Sequence, residues 1–209
     1  MRTTTIIAVT LSTTLWAAPP DVRLNPADTL AIRGGKAGFS VATNALGIVV
    51  RGKSDALEGR VELHRTAGSL AIDHVDVHLP VKTLATGMTL RDEHMRKYVF
   101  TTSAGEVPDL RFEADAAVCP EAAAGRPSNC QITGMLAIRG VSKSCLLTLK
   151  IHPESGAYRV EGDGQVSLRD YGIEQPTQLG VKTANEIQIH LELTAKPNAP
   201  VSAHAGGVR

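Results

Sequence analysis

The side chains best suited to chemistry lie together in residues 89–98, where Arg91, Asp92 and His94 are almost consecutive. A cation, a carboxylate and an imidazole are groups that a hydrolase or an isomerase uses to transfer protons. The same segment has the pattern of a short helix, with Thr89 as its N-cap and Asp92 three residues later, as in a capping box. A salt-bridge network that holds a capped helix in place also accounts for these residues, and it is the interpretation that we favour.

The three cysteines predict one disulfide and one free thiol. Cys119 and Cys130 flank a segment rich in turn residues, so two strands joined by this loop would bring both thiols together. Cys145 lies on the apolar face of a later strand and is predicted to be a buried free thiol. A zinc site is the alternative, but the chain has no C-x-x-C pair and its cysteine spacing does not suit zinc.

The histidines most suggestive of a metal site are His74 and His78, which share one face of a predicted strand. Four residues of extended chain separate them by about 13 Å, which is too far for one metal ion to bridge. We therefore predict that both are surface histidines and that the chain has no metal site.

The composition argues against a nucleic-acid partner. The 209 residues carry 22 basic and 21 acidic side chains, so the chain has no net field that would attract a polyanion. Aromatic residues make up only 3% of the chain, which leaves few side chains to stack on unpaired bases. The length fits a single domain with short tails.

Both ends of the chain have the character of segments outside the folded domain. Residues 1–18 resemble a secretory signal peptide, with Arg2 before a short apolar core and small residues at the end. A retained membrane anchor or a buried helix is the alternative. No later run approaches the roughly 18 apolar residues of a membrane span, so we expect no transmembrane segment in the mature chain. Residues 196–209 are rich in Pro, Ala and Gly and are predicted to form a disordered tail.

Alternating apolar and polar residues recur along most of the chain and predict antiparallel strands with one wet face. A series of such strands must pair as a sandwich or close into a barrel, so the predicted class is all-β. The helical segment interrupts this pattern, and we expect Leu90, Met95 and Tyr98 to plug the barrel.

Two pairs of glycines carry further expectations. Gly34 and Gly35 are predicted to form a turn that leads into a strand at Phe39. Gly162 and Gly164 alternate within a long apolar strand and suit a sharply coiled backbone.

Four segments carry recognisable signatures in a fixed order: Leu84–Gly87 with Arg91–Met95, Phe100 with Val107–Phe112, Gly134–Lys143, and Leu168–Ile173. They resemble the signatures of the YceI-like proteins and together span about residues 36–195. The chain departs from the family pattern at Ser144 and Cys145, and in the inserted loop between Cys119 and Cys130.

The resemblance implies an extended antiparallel lipocalin-like β-barrel with a short helix, formed by residues 19–195 and located in the bacterial periplasm. It further implies a binding or carrier protein, not an enzyme, that needs no cofactor. Its expected partner is an apolar small molecule or lipid, such as an isoprenoid quinone or a polyprenyl phosphate, held inside the barrel. Two other hypotheses remain: a stress-related or structural envelope protein with a filled barrel, and a hydrolase or isomerase that uses Arg91, Asp92 and His94.

The candidates for the ligand-binding lining are apolar residues on the predicted inner faces, each of which also suits plain core packing: Phe39, Val41, Val77, Leu79, Met88, Met95, Phe112, Leu136, Ile138, Leu147, Leu149, Ile189 and Leu191. Three basic residues are the candidates for contact with a polar head group at the barrel mouth: Arg91, Lys143 and Arg169.

Overall fold

The computed structural model describes residues 28–121 and 126–197. The predicted signal peptide and most of the predicted tail lie outside the described residues. Eight long strands form the wall of the fold: β1 (Asp28–Ala42), β2 (Val49–Thr66), β3 (Ser69–Leu79), β4 (Leu110–Pro120), β5 (Ser128–Ile138), β6 (Val141–Glu154), β7 (Ala157–Ser167) and, after a short hairpin of β8 (Thr177–Gln178) and β9 (Val181–Lys182), β10 (Glu186–Pro197).

The long strands form one closed antiparallel barrel in the order β1-β10-β7-β6-β5-β4-β3-β2, with β2 returning to β1. The predicted all-β barrel with a short helix is therefore confirmed. The last strand runs two residues past the predicted start of the tail, because Lys196 and Pro197 still pair with β1.

Strict alternation along the strands separates an apolar inner face from a polar outer face. On β6, Cys145, Leu147 and Leu149 are buried, whereas the residues between them are exposed. Facing apolar side chains from all eight strands therefore meet in a single interior, which is the hydrophobic core of the protein.

Strand β1 begins much earlier than the alternation suggested, and the predicted turn at Gly34 and Gly35 is wrong. These residues form a bulge inside the strand, where Gly34 adopts a left-handed conformation with φ of 70°. Pairing with β2 continues on both sides of the bulge, because Ile32 faces Gly59 and Gly35 faces Leu57. A bulge breaks the period of two, which explains why the first half of β1 was not recognised.

A disulfide closes the barrel wall between β4 and β5. Direct pairing between these strands covers only the three positions 111–113 of β4. Farther along the seam, the predicted disulfide between Cys119 and Cys130 is confirmed, with Cα atoms 5.1 Å apart. Ala116, with φ of 52°, lies between the paired part and the disulfide. Cys145 is a free, buried cysteine, as predicted, and its burial raises the pKa of the thiol.

The two longest connections, residues 80–109 and 168–185, lie at the same end of the barrel, which we call the mouth end. Both follow strands that run in the same direction, β3 and β7, whereas the opposite end carries the short turns after β2 and β6. The mouth end also carries helix α1 (Thr89–Met95), a wider helical turn (Arg96–Phe100), two single turns of 3₁₀ helix and the β8–β9 hairpin.

The helix differs from its prediction in how it begins and in what it buries. Thr89 is its first helical residue and not its cap, and the capping position, Met88, makes no side-chain hydrogen bond. The predicted plug is also wrong for Leu90 and Tyr98, which are 56% and 57% exposed. Phe100 is the buried aromatic residue of this segment, because the wider helical turn rotates it towards the core.

The outer wall carries histidines paired with acidic residues on neighbouring strands. His74 Nδ1 lies 2.6 Å from an oxygen of Asp115, and His190 Nδ1 lies 2.8 Å from an oxygen of Asp163. The hydrogen bond to Asp163 raises the pKa of His190. His78 also lies on this wall, 3.8 Å from Glu58, so it does not share a site with His74.

Candidate binding site

The inner face of β10 is apolar but only half-buried. Ile187, Ile189, Leu191 and Leu193 alternate with exposed polar residues and pack against the core. On the neighbouring strand, Phe39 pairs with Ile189 and is half-buried as well. Side chains that face the inside of a closed barrel would be fully buried if the interior were filled, so this side of the interior retains accessible space.

Wall glycines hold two aromatic rings against the inner surface. A Cβ atom at Gly52 would lie 2.7 Å from Cζ of Phe39, and one at Gly134 would lie 2.5 Å from Cζ of Phe112. Each ring therefore occupies the space above a glycine on the adjacent strand. This arrangement keeps the rings along the wall, where they take up less of the interior than rings pointing across it.

The two glycines of β7 serve the same purpose for aliphatic side chains. A Cβ atom at Gly162 would lie 2.8 Å from a methyl group of Leu149 and 2.9 Å from Leu191. One at Gly164 would lie 2.6 Å from a methyl group of Leu147. Larger residues on β7 would push these leucines inwards, so the glycines widen the interior at this side of the barrel.

The predicted lining residues fall into three groups. Six are buried in the core: Val41, Val77, Leu79, Ile138, Leu147 and Leu149. Six are half-buried and pack against it: Phe39, Met95, Phe112, Leu136, Ile189 and Leu191. Met88 lies elsewhere: its side chain is 57% exposed, because it precedes α1 at the mouth end and does not turn into the barrel.

Sequence reasoning left out four half-buried residues that belong to the same accessible surface. Ile187 and Leu193 have the same alternation as the chosen residues of β10 and were detectable from it. Ala37 and Val160 were harder to assign to the inner face from the sequence. A bulge precedes Ala37 and glycines follow Val160, and both interrupt the apolar alternation. All four join the β10 surface through the strand order β1-β10-β7.

Two cavities at the mouth end combine basic and acidic side chains. The larger, of about 520 Å³, is lined by Arg169 and Lys182 with Glu174 among its other residues. The smaller, of about 350 Å³, is lined by the basic residues Lys82 and Arg96 and by the acidic residue Asp109. Each cavity thus offers two cations and one carboxylate at the mouth end.

A buried tyrosine marks the boundary between the mouth end and the core. The hydroxyl of Tyr171 donates a hydrogen bond to the backbone oxygen of Leu136, 3.2 Å away, and the residue is only 4% exposed. Burial raises the pKa of Tyr171 to about 12, so this hydroxyl stays protonated.

The three predicted head-group residues have different surroundings. Arg169 lines the larger mouth cavity, and Lys143 is exposed near the start of β6. The guanidinium of Arg91 is engaged locally, since Nε and Nη2 each donate to Thr86 at 2.8 Å. Contact of any of the three with a head group remains a prediction.

Arg91 and Asp92 both bind Thr86 at the base of the helix, whereas His94 lies outside this network. Thr86 donates to the buried carboxylate of Asp92 through its backbone N–H, at 2.7 Å, and through its hydroxyl. His94 instead packs edge-on against Tyr98, with 5.7 Å between the ring centroids. The geometry thus directs the carboxylate to Thr86, so the helix is held by hydrogen bonds through Thr86 and not by the predicted salt bridges among Arg91, Asp92 and His94.

The hydrogen bonds from Thr86 stabilise the charged form of Asp92. Burial alone would raise the pKa of its carboxyl, but hydrogen bonds from Thr86 and the charges of Arg96 and Arg91 hold it below the usual 3.8. A lowered pKa stabilises the folded state above pH 3.8, and this contribution is lost as the pH falls through the lowered value.

We expect Asp92→Ala to lower the free energy of unfolding by about 2 kcal/mol at neutral pH, because it leaves the donors of Thr86 unpaired. Glu93→Ala, which changes an exposed neighbour on the same helix, should stay within about 0.5 kcal/mol of the parent. Urea unfolding of both variants measures the difference. The gap between parent and Asp92→Ala should shrink only below pH 3.8, and a gap that closes at higher pH would contradict the assigned role.

Within residues 28–121 and 126–197, no group of three or more His, Cys, Asp or Glu side chains is placed to hold a metal ion. No helix in the same residues is long and apolar enough to cross a membrane.

Comparison with known proteins identifies the family. A model of the YceI-like domain matches residues 29–195. No curated protein is significantly similar to the chain.

Several solved structures share the fold. A polyisoprenoid-binding domain from Saccharophagus degradans aligns with a TM-score of 0.59 and 13% identity, over 82% of this chain and 99% of that one. BcnA from Burkholderia cenocepacia aligns with a TM-score of 0.58 and 16% identity, over 77% and 96% of the two chains. The Campylobacter jejuni YceI protein gives 0.55 and 19%, over 72% and 86%.

These structures agree in fold with the barrel described above, and the family model runs from the second residue of β1 to β10. The chain therefore belongs to the YceI-like domain family.

Proposed function

We propose that this protein is a periplasmic carrier that holds a long isoprenoid chain inside its barrel. The observation that carries the proposal is the half-buried apolar surface of β10 and its neighbours, which faces the inside of a closed barrel. The polyisoprenoid-binding domain of Saccharophagus degradans has the same fold and supports this ligand class by analogy.

The shape and chemistry of the interior suit a flexible chain. The wall strands have 11 residues or more, which corresponds to about 36 Å of extended backbone. Aliphatic side chains dominate the accessible surface, and they pack against methyl-branched hydrocarbon without requiring a hydrogen-bond pattern. Removing such a chain from water is favourable by about 0.8 kcal/mol for each CH₂ group, so a long isoprenoid gains strongly from enclosure.

The mouth end suits a polar head group. Arg169 and Lys182 line the larger cavity, and Lys82 and Arg96 line the smaller one. A phosphate would pair with either set of cations, and a quinone ring would accept hydrogen bonds from them. The proposed ligand therefore lies with its chain in the barrel and its head at the mouth end.

The proposed location follows from the first residues and from the disulfide. Residues 1–18 have the pattern of a secretory signal, which would export the chain. The disulfide between Cys119 and Cys130 is of the kind that persists in oxidising compartments such as the periplasm.

Mass spectrometry of organic extracts tests the ligand class directly. We expect protein purified from a bacterial host after export to release a lipid whose mass contains repeated five-carbon units, in near-stoichiometric amount. Protein that releases no lipid, and takes up none when mixed with an isoprenoid quinone or a polyprenyl phosphate, would favour the filled-barrel hypothesis instead. Release of ordinary phospholipid alone would also contradict the proposal.

A further inference from the structure

Two turns at the mouth end are locked side by side. The backbone N–H of Asn44, in the β1–β2 turn, donates to the backbone oxygen of Lys182 at 2.9 Å. The side chain of Asn44 accepts from the N–H of Lys182 at 2.8 Å and donates to the oxygen of Gly180 at 3.3 Å. These hydrogen bonds join the β1–β2 turn and the β8–β9 turn into one unit, which we call the paired turns (residues 43–48 and 177–182).

Each of the paired turns presents a leucine to solvent. Leu46 is 104% exposed and Leu179 is 97% exposed, so neither side chain packs against the protein. Ile48, in the first turn, is a further 49% exposed. These leucines do not contribute to the core. Exposing their apolar side chains to water is also unfavourable in free energy.

Leu179 has a left-handed backbone conformation that a leucine rarely adopts. Leu179 and Gly180 have φ of 50° and 77°, the left-handed pair of a tight hairpin turn. Asn, Asp or Gly is favoured at the first of these positions, whereas a leucine is strained there. The strained leucine makes no packing contact within the chain, so we infer that its side chain serves a contact with another molecule.

Basic side chains outnumber acidic ones next to the paired turns. Residues 43–53 and 175–185 contain Arg51, Lys53 and Lys182, and neither Asp nor Glu occurs in these two segments. Glu174 and Glu186 flank the second segment, and Glu174 lines the same mouth cavity as Lys182, so the paired turns lie in a region with a small excess of basic side chains.

We propose that the paired turns dock on a phospholipid bilayer, with Leu46 and Leu179 inserted among the acyl chains and the basic residues against anionic head groups. Two projecting tips fit a fluid bilayer, which moulds around them, whereas a protein partner would need a matching pair of pits. Docking would bring the mouth end of the barrel to the membrane surface. This inference goes beyond the proposed function and stands whether or not the ligand is an isoprenoid.

Cosedimentation of the full chain with vesicles of phosphatidylethanolamine and phosphatidylglycerol tests the proposal. The double variant Leu46→Asn, Leu179→Asn should bind at least tenfold more weakly, because burial of a leucine side chain in hydrocarbon is worth roughly tenfold or more in partitioning. Asn tolerates the left-handed backbone, so the variant should keep or raise the midpoint of thermal unfolding. Replacing phosphatidylglycerol by phosphatidylcholine should weaken binding of the parent.

The matched control is Leu146→Asn, which changes a leucine that is 49% exposed on the outer wall, and it should bind vesicles like the parent. Failure of the parent to bind, or equal binding by the double variant, would overturn the proposal. Loss of self-association in the double variant without vesicle binding would also overturn it, by identifying a second copy as the partner. Lipid extraction from the same variants reports on the ligand independently, so failure of docking is distinguishable from failure of the carrier function.

Discussion

Filling the accessible part of the barrel with an Ala37→Phe substitution is expected to reduce the recovered isoprenoid by roughly tenfold or more, since overpacking that costs 1.4 kcal/mol already weakens binding tenfold. Ala37 is half-buried, faces the interior, and pairs with Leu191 on β10. A phenyl ring there would occupy the space next to the half-buried side chains of β10. Extraction and mass spectrometry of parent and variant, normalised to protein, measure the effect.

The matched control for this prediction is Lys36→Phe, which adds the same ring one residue earlier on the exposed outer face of β1. This variant should release as much lipid as the parent. Both variants should retain a cooperative unfolding transition, with Ala37→Phe less stable by about 1–3 kcal/mol at most. Equal lipid recovery from Ala37→Phe and Lys36→Phe would place the ligand away from the β1–β10 side of the interior.

Removing the disulfide is expected to have the largest effect on stability. The double variant Cys119→Ala, Cys130→Ala should lose about 3 kcal/mol in free energy of unfolding, because the disulfide closes a loop of this length in the unfolded chain. The disulfide joins β4 to β5 at the end of the barrel where these strands do not pair directly, because their pairing is confined to the mouth end. Its removal therefore weakens the contact between these two strands. Chemical unfolding monitored by circular dichroism measures it.

Reductant provides the control for the disulfide prediction. Adding it should destabilise the parent to the level of the double variant and leave the double variant unchanged. A Cys145→Ala variant should keep the full sensitivity to reductant, because Cys145 is a free thiol. Equal stability of parent and double variant in the absence of reductant would mean that the β4–β5 seam does not depend on the disulfide.

Sequence alternation predicted the strands well wherever the period of two was unbroken. Strands β6 and β10 follow it almost throughout, so their inner faces were recognised. The first half of β1 was missed because the bulge at Gly34 shifts the period, and the conformation of such a bulge depends on pairing with β2. The disulfide was predictable because both cysteines belong to consecutive strands.

The parts of the site that escaped prediction depend on contacts across strands. The residues next to Gly52 in the sequence do not predict that the ring of Phe39 lies over it. This contact depends on the register between β1 and β2. The lock between Asn44 and Lys182 joins residues that are 138 positions apart. Thr89 resembled a helix cap locally, but Asp92 hydrogen-bonds to Thr86 instead, so the capping pattern was not realised.

Photo-crosslinking with an isoprenoid that carries a diazirine on its chain tests most directly whether the ligand lies inside the barrel. After irradiation and digestion, peptide mass spectrometry should find the label on inward-facing residues of β1, β7 and β10, with Phe39, Ile189 and Leu191 foremost. Label confined to outward-facing neighbours such as His190 and Glu192, or competed away by unrelated detergent but not by unlabelled isoprenoid, would contradict the account.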